Sequence, residues 1–308
     1  MTMNLTHMLN FIQIVEWGSV SKAAAYLNIA QPALSRQVQA LENTLDARLL
    51  VRQKWGVEPT ENGKLLLEHA RRIQKECVLA RESVRSNNEN PAGSVYVGVP
   101  SAYSVALIPP LIQRMNQLYP NIQVHVVEGF SRAIYEWLLN GRLDLAVLSH
   151  SREHTVDGSI PFVAEEMVAL TSPEQFEEIS RMSPGELADD KVIAPWQPHF
   201  LRQALDTKFI ELGSFFKPKL EIDSMRCMIE MAQRGDGTII LPSSCVSREL
   251  SEGRLRSMPI NPTFRLSTQI GTAPGRQVSR GTSLLRDALN ELAVELAPKM
   301  DWSPLQTR

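Results

Sequence analysis

The first 45 residues carry three helical patterns in quick succession, and the breaks between them dictate where the backbone must turn. Leu9, Ile12 and Val15/Glu16 recur at helical spacing between Leu5 and Trp17, with Phe11 beside them, and Gly18 stops the run. Ser19 or Ser21 is placed to cap a second helix centred on Ala23-Ala24-Ala25-Tyr26-Leu27, whose small side chains let another helix approach closely. Asn28-Ile29-Ala30 makes a short turn. Gln31-Pro32 then opens a third helix, with Pro32 in the first turn, where a missing N–H costs nothing.

The third helix runs to about Thr44. Leu34, Val38, Leu41 and Leu45 form one narrow apolar stripe, which leaves Pro32, Ala33, Arg36, Gln39 and Ala40 on the opposite face. A solvated face ordinarily mixes both signs of charge; this one has an Arg, a Gln, small residues and no acid. The acid-free window is wider than the helix, since no Asp or Glu stands between Glu16 and Glu42 while Lys22 and Arg36 do. A helix entering the DNA major groove needs a slim profile, bidentate donors for base edges and no carboxylates beside phosphates. This face meets those needs, although the net charge of the whole chain is only -2.

After Leu45, a short apolar run flanked by Arg48 and Arg52 is followed by Gln53–Thr60, with a turn at Trp55-Gly56; the pattern is that of a two-stranded wing. Thr60 can cap a long helix to about Ser86, in which Leu66, Ala70, Ile73, Cys77, Ala80 and Val84 recur as a heptad seam. Such a seam cannot stay exposed on a single chain, so it calls for a second helix. Cys77, within it, reads as a small apolar core residue. The polar run Asn87-Asn88-Glu89-Asn90-Pro91-Ala92-Gly93 marks a domain boundary.

Phe11, Ile14-Val15-Glu16, Gly18-Ser19, Ser21-Lys22-Ala23-Ala24, Leu27, Ile29 through Gln37, and Leu41-Glu42, at these spacings, closely resemble the N-terminal motif of the LysR-type transcriptional regulators. The resemblance implies a winged helix-turn-helix in residues 1–60 whose third helix is the recognition helix. Ser21, Lys22, Gln31, Pro32, Ala33, Ser35, Arg36 and Gln39 would then lie near DNA, with Arg36 and Gln39 reading base edges and Ser35 holding phosphate. The likeness continues at Arg52, Gly56, Pro59, Thr60 and Gly63, and would bring Arg52 and Lys54 to the sugar-phosphate backbone. Leu50 stands where many members carry Phe, an apolar exchange. The resemblance further implies that the linker helix of residues 61–90 pairs antiparallel with its copy, giving a homodimer and, in the family's usual state, a homotetramer. Two recognition helices would read a near-palindromic operator in double-stranded promoter DNA. RNA polymerase is a further candidate partner.

From Ser94 onward, strand and helix signals alternate: strands at 95–99, 122–126 and 143–148, helices at 103–118 and 131–140, then strands at 166–170, 192–194 and 238–241 with helices at 199–211 and 224–234. Residues 263–272 and a helix from about Ser279 to Leu296 close the chain. This succession means α/β architecture on a parallel sheet. By resemblance, residues 91–308 form a periplasmic-binding-protein-like effector domain of two α/β subdomains. The first spans 94–160 and 269–298, the second 164–265, with crossings near 161–165 and 264–268.

Ligands of such folds sit at strand C-terminal ends and helix N-termini. The candidates for a small-molecule effector are therefore Ser101, Ala102 and Ser104 after the first strand, Phe130 and Ser131 after the second, and Ser149 with His150 after the third. Across the cleft stand Pro195, Trp196, Gln197 and His199. Hydroxyls and free N–H groups there suit an anion. The family often places a Ser or Thr pair just past the first strand; here Ser101 is followed by Ala102, which weakens the case for a carboxylate held in the usual way. Tyr103 and Trp196 hint at an aromatic or apolar component.

No GxSxG, HExxH, P-loop or Rossmann glycine pattern occurs, and Gly235-Asp236-Gly237 lacks the third glycine, so no enzyme is expected. The His residues lack ligand spacing and the three Cys form no framework, so neither a metal nor another cofactor is expected. Cys227 and Cys245 are 18 residues apart, wider than the pair that redox-sensing members of the resembled family form in this domain, so a peroxide sensor is not expected. Without a secretory signal at the N-terminus, or a run of about 18 apolar residues, the chain reads as cytoplasmic with no membrane partner. Two alternatives stay open. One is a regulator that works through oligomer contacts without an effector, which Ala102 mildly favours. The other is a solute-binding protein, against which the first 90 residues speak.

Overall fold

The chain opens with α1 (Leu5–Trp17), α2 (Val20–Tyr26) and α3 (Gln31–Leu45), followed by a hairpin of β1 (Leu50–Gln53) and β2 (Gly56–Pro59) and by α4 (Glu61–Arg85). The computed structural model describes residues 3–85, 90–149, 156–176, 182–183, 187, 191–275 and 277–305. Its contacts divide the chain into two units, Met1–Arg85 with Asn140–Arg142, and Ser86–Leu139 with Leu143–Arg308.

In the first unit each helix boundary has a local cause. Asn4 accepts from the His7 N–H to start α1, and Gly18 ends it in the left-handed region at φ 59. Ser19, rather than Ser21, caps α2 by accepting from the Lys22 N–H. Thr60 Oγ1 accepts from the Gly63 N–H at 3.0 Å and donates to the Arg48 carbonyl at 2.6 Å, so one hydroxyl starts α4 and pins it beside the hairpin. Phe11, Ile12, Leu41, Leu49, Leu66 and Ala70 share one buried cluster, while Ile14, Ala23, Ala24, Leu34 and Val38 share another. The expected heptad seam is therefore divided. Leu66 and Ala70 belong to the chain's own core, because α4 packs on α1. Only Ile73, Cys77 and Ala80 stay exposed. The Val84 side chain lies outside those described, as do residues 87–89 of the expected boundary.

The expected turn at Trp55-Gly56 falls one residue earlier. Gln53 pairs with Gly56, so Lys54-Trp55 form the turn. The glycine is there for a close approach instead. A Cβ on Gly56 would sit 2.2 Å from the Gly18 carbonyl oxygen, which accepts from the Val57 N–H at 2.9 Å.

The second unit contains β3 (Gly93–Pro100), α5 (Ser101–Leu118), β4 (Ile122–Gly129), α6 (Ser131–Leu139), β5 (Leu145–Ser149), β6 (Ile160–Thr171), β7 (Val192–Ala194) and α7 (Phe200–Glu211). It continues with β8 (Leu220–Glu221), α8 (Met225–Gln233), β9 (Thr238–Pro242), a 3-10 turn (Ser243–Val246), α9 (Ser247–Ser251), β10 (Arg256–Pro259), β11 (Arg265–Thr272), α10 (Arg280–Met300) and β12 (Ser303–Pro304). The strands form one path, β4-β3-β5-β11-β6-β9-β7-β8, with β10 and β12 also paired to β6.

The expectation of a parallel sheet needs correction. β3 is parallel to β4 and β5, and β7 to β8 and β9, but β11 runs antiparallel to β5 and β6, and β6 antiparallel to β9. The reason lies in the two long strands that leave one half of the sheet and enter the other. An antiparallel strand can join a sheet without the crossover helix that a parallel one requires. Each half has its own core: Val97, Leu107, Leu111, Leu285 and Leu289 in the first, Ile193, Leu205, Phe209, Ile239 and Leu241 in the second.

Candidate nucleic-acid interface and effector cavity

On α3, Gln31, Pro32, Arg36 and Gln39 are exposed, while Ala33 and Ser35 are half-buried behind them. Gln31 Nε2 donates to Ser35 Oγ at 3.0 Å, and Gln39 Nε2 to Asn43 Oδ1 at 3.1 Å. Each of these bonds spans one helical turn along α3. Ser21 and Lys22 lie exposed in the first turn of α2, and Arg52 and Lys54 are exposed on the hairpin.

The two acids that bound the acid-free window both have partners within the first unit, Glu42 buried and Glu16 at the surface. Buried Glu42 accepts from the Leu49 N–H at 2.8 Å, tying α3 to the strand that follows. Glu16 meets Arg71 of α4 at 3.3 Å. The exposed α3 face is thus cationic and amide-bearing, as an anionic duplex requires. Nothing in the sequence pattern indicates that Glu42 serves backbone amides.

In the second unit a partly open cavity of about 60 Å³ lies where strand ends of both halves converge. The first half contributes Ser101, Ala102, Phe130, Ser131 and Ser149; the second contributes Pro195, His199, Ile222, Asp223, Met225 and Met228. α5 begins after Pro100 with no side-chain cap, so its first-turn N–H groups face this end of the sheet uncapped. Ser131 Oγ and Ser149 Oγ are hydrogen-bonded at 3.0 Å, and Ser101 Oγ donates to Glu128 at 2.9 Å. His199 caps α7, its Nδ1 accepting from the Leu201 N–H at 3.1 Å. Burial holds that imidazole below its ordinary value, with Asp223 opposing.

Of the eleven expected effector residues, seven line the cavity and Ser104, Trp196 and Gln197 do not. Ser104 sits one turn into α5, with Oγ turned back to the Ser101 carbonyl at 3.2 Å. Trp196 and Gln197 occupy a turn closed by the His199 N–H donating to the Trp196 carbonyl. Only the ends of that turn, Pro195 and His199, face inward. Trp196 is 56% exposed, and Gln197 Nε2 donates to Asp206 at 2.6 Å. His150 lies outside the described residues. Sequence reasoning missed Ile222, Asp223, Ser224 and Met225. They follow the same rule of strand end and helix start, but β8 is two residues long and has no readable alternation.

Behind the cavity, Tyr103 reaches a buried carboxyl, Glu165 of β6. Ser244 donates to Glu165 Oε2, whereas Oε1 and the Trp302 indole nitrogen have no hydrogen-bond partner among the described residues. Burial pushes the Glu165 carboxyl up, opposed in part by Ser244, Tyr103 and Trp302. Burial and the neighbouring Glu165 push the Cys245 thiol well up; its sulfur contacts the Ala102 carbonyl at 3.4 Å. All three cysteines are free. Among the described residues no His, Cys, Asp and Glu group could hold a metal, and no helix is long and apolar enough to cross a membrane.

Comparison with known proteins matches both units. Residues 5–64 match the model of the bacterial regulatory helix-turn-helix protein of the lysR family, and residues 88–293 that of the LysR substrate binding domain. The nitrogen assimilation regulatory protein nac of Escherichia coli K12 is 30% identical over 97% of this chain and 99% of its own. The transcriptional dual regulator OxyR of the same organism is 24% identical over 97% of this chain and 96% of its own. Among solved structures, full-length OxyR from Pseudomonas aeruginosa shares the fold with a TM-score of 0.77 at 20% identity, covering 100% of this chain and 99% of that one. CbnR, solved in complex with its target DNA, aligns with a TM-score of 0.67 at 19% identity over 95% of this chain and 99% of that one. The chain belongs to the LysR family of bacterial transcription regulators, joining a DNA-binding helix-turn-helix domain to a LysR substrate-binding domain.

Proposed function

We propose that the chain binds promoter DNA as a dimer through α3 and that a small molecule in the cavity between the two halves of its second unit modulates that binding. The observation that carries the reading is the pairing, in one polypeptide, of an acid-free exposed helix face with a cavity walled by strand ends and helix starts of both halves. The exposed Ile73, Cys77 and Ala80 on α4 supply a surface for the second copy. Two copies would read a near-palindromic operator, with a tetramer and contacts to RNA polymerase as extensions of the same arrangement. In this reading the chain is a cytoplasmic protein without a catalytic role.

The test is footprinting of the full chain and of Arg36→Ala on the promoter region of its own gene. The variant should lose roughly 1–3 kcal/mol of specific binding if Arg36 reads a base; a normal footprint would remove α3 from the recognition role. For the effector, a thermal-shift screen of metabolites should find one that, at about 100 times its dissociation constant, adds roughly 2.7 kcal/mol of stability. One observation favours a second reading, a regulator without an effector: the cavity is only about 60 Å³ and Ala102 replaces a hydroxyl at its wall. A screen with no hit, beside a normal footprint, would select that reading.

A further inference from the structure

Trp55 is the most exposed large apolar side chain among the described residues, 88% open to solvent, and it stands at the tip of the hairpin. The base of that hairpin is fixed. Leu50 and Val57 pack against the cluster containing Leu34 and Val38 of α3, and Val57 is hydrogen-bonded to Gly18 at 2.9 Å. What projects from this base is Lys54-Trp55, with exposed Arg52 two residues behind the lysine. The Lys54 ammonium stands 5.2 Å from the centre of the indole ring. The hairpin's acid, Glu58, stands in the second strand opposite Val51, and its carboxylate accepts from the Gln53 amide.

An indole kept out of the core on a rigid support has its free face available to another surface. The α3 face points to which one. A major groove is about 12 Å wide, so a hairpin packed along the flank of a helix seated there reaches the bordering phosphate strand. Beyond that strand lies a minor groove about 6 Å wide, lined by deoxyribose edges between two rows of phosphates. An apolar plate flanked by two cations complements that surface: Arg52 and Lys54 toward phosphates, the indole against sugars.

We propose that Trp55 is a DNA-contacting residue whose indole packs on the sugar edge of the minor groove beside the α3 site and supplies a salt-independent part of the affinity. The inference rests on the DNA-binding reading above.

The probe is a duplex selected from random-sequence DNA by the wild-type full chain, with binding measured across a salt series. Trp55→Ala should bind about tenfold more weakly with an unchanged slope of log affinity against log salt, and Trp55→Phe should recover most of the loss. Lys54→Ala should instead lower the magnitude of the slope by about 1. Because Trp55 buries almost nothing within its own chain, Trp55→Ala should melt like the wild type. Emission of the wild type, less that of Trp55→Phe, should change when duplex is added. Binding by Trp55→Ala within about twofold of wild type, or a slope reduced as in Lys54→Ala, would overturn the contact while leaving α3 in place. If the wild-type chain selects no duplex, the DNA-binding reading fails and this inference falls with it.

Discussion

The Phe130 ring meets the His199 imidazole edge to face, with centroids 4.9 Å apart and planes at 73°. One ring stands where β4 gives way to α6, the other at the head of α7, so the pair bridges the two halves over the cavity. His199 also caps α7 through Nδ1, a bond only the unprotonated nitrogen can accept. Burial lowers its folded pKa below the ordinary 6.5. The neutral form is therefore the stabilising one: its contribution is complete above the unfolded value and is lost as pH falls through the folded one. His199→Ser, which keeps a capping oxygen without a titrating group, should flatten the fall in melting temperature between about pH 7 and pH 5. Parallel melting curves for the two proteins would show that His199 does not carry this dependence.

The division of the α4 seam separates two effects of charge. Ala70 is fully buried against α1, whereas Ile73, one turn further along, is 36% exposed. Ile73→Glu should leave the helix-turn-helix folded and shift the protein toward monomer in light scattering at micromolar concentration. Ala70→Glu should unfold the first unit, since a buried unpaired carboxylate costs several kcal/mol. If Ile73→Glu remains as dimeric as the wild type at that concentration, the exposed part of the seam is not the dimer contact.

Much of the first unit was readable because its signals are local. Gly18 stops one helix, Pro32 opens another, and Leu34, Val38 and Leu41 recur with one period. The misplaced turn at Trp55-Gly56 shows the limit, since the role of Gly56 depends on a carbonyl 38 residues earlier in the chain. The cavity follows the same division. Ser101, Phe130, Ser131 and Ser149 end strands long enough to recognise, whereas Asp223 and Met225 follow a two-residue strand that exists only through its pairing with β7. Glu165 was invisible for a related reason: nothing near it in sequence indicates that Tyr103, Ser244 and Trp302 converge on it.

Cysteine chemistry gives a third expectation. Cys245 sits against the Ala102 carbonyl with its thiol pushed well up by burial, while Cys227 is exposed in the first turn of α8. The thiolate is the reactive species. In the native chain at about pH 8, iodoacetamide should label Cys227 and spare Cys245, as read by peptide mapping; on denaturation both should label. Equal native rates would mean that the Cys245 pocket opens readily, and would reopen a peroxide-responsive role for the pair.

Glu165 lies in β6, one of the two strands that join the halves of the second unit, and Tyr103 beside it forms part of the cavity wall. Burial is the largest cause of its raised pKa, ahead of the opposing effect of Ser244. A carboxyl whose folded pKa exceeds its unfolded value contributes stability that is full below the unfolded value near 4.5 and is lost as pH rises through the folded one. The fold then favours the neutral carboxyl more than water does, and Glu165→Gln should mimic that form at every pH. The melting temperature of the variant relative to wild type should climb from acid toward neutral pH, and a constant difference would mean that the carboxyl titrates in the native chain as it does in the unfolded one. Glu165→Leu separates charge from hydrogen bonding. It also removes the charge, but leaves the buried Ser244 hydroxyl without its acceptor, at a cost of about 1–3 kcal/mol. The Leu variant should therefore be less stable than the Gln variant across the whole range.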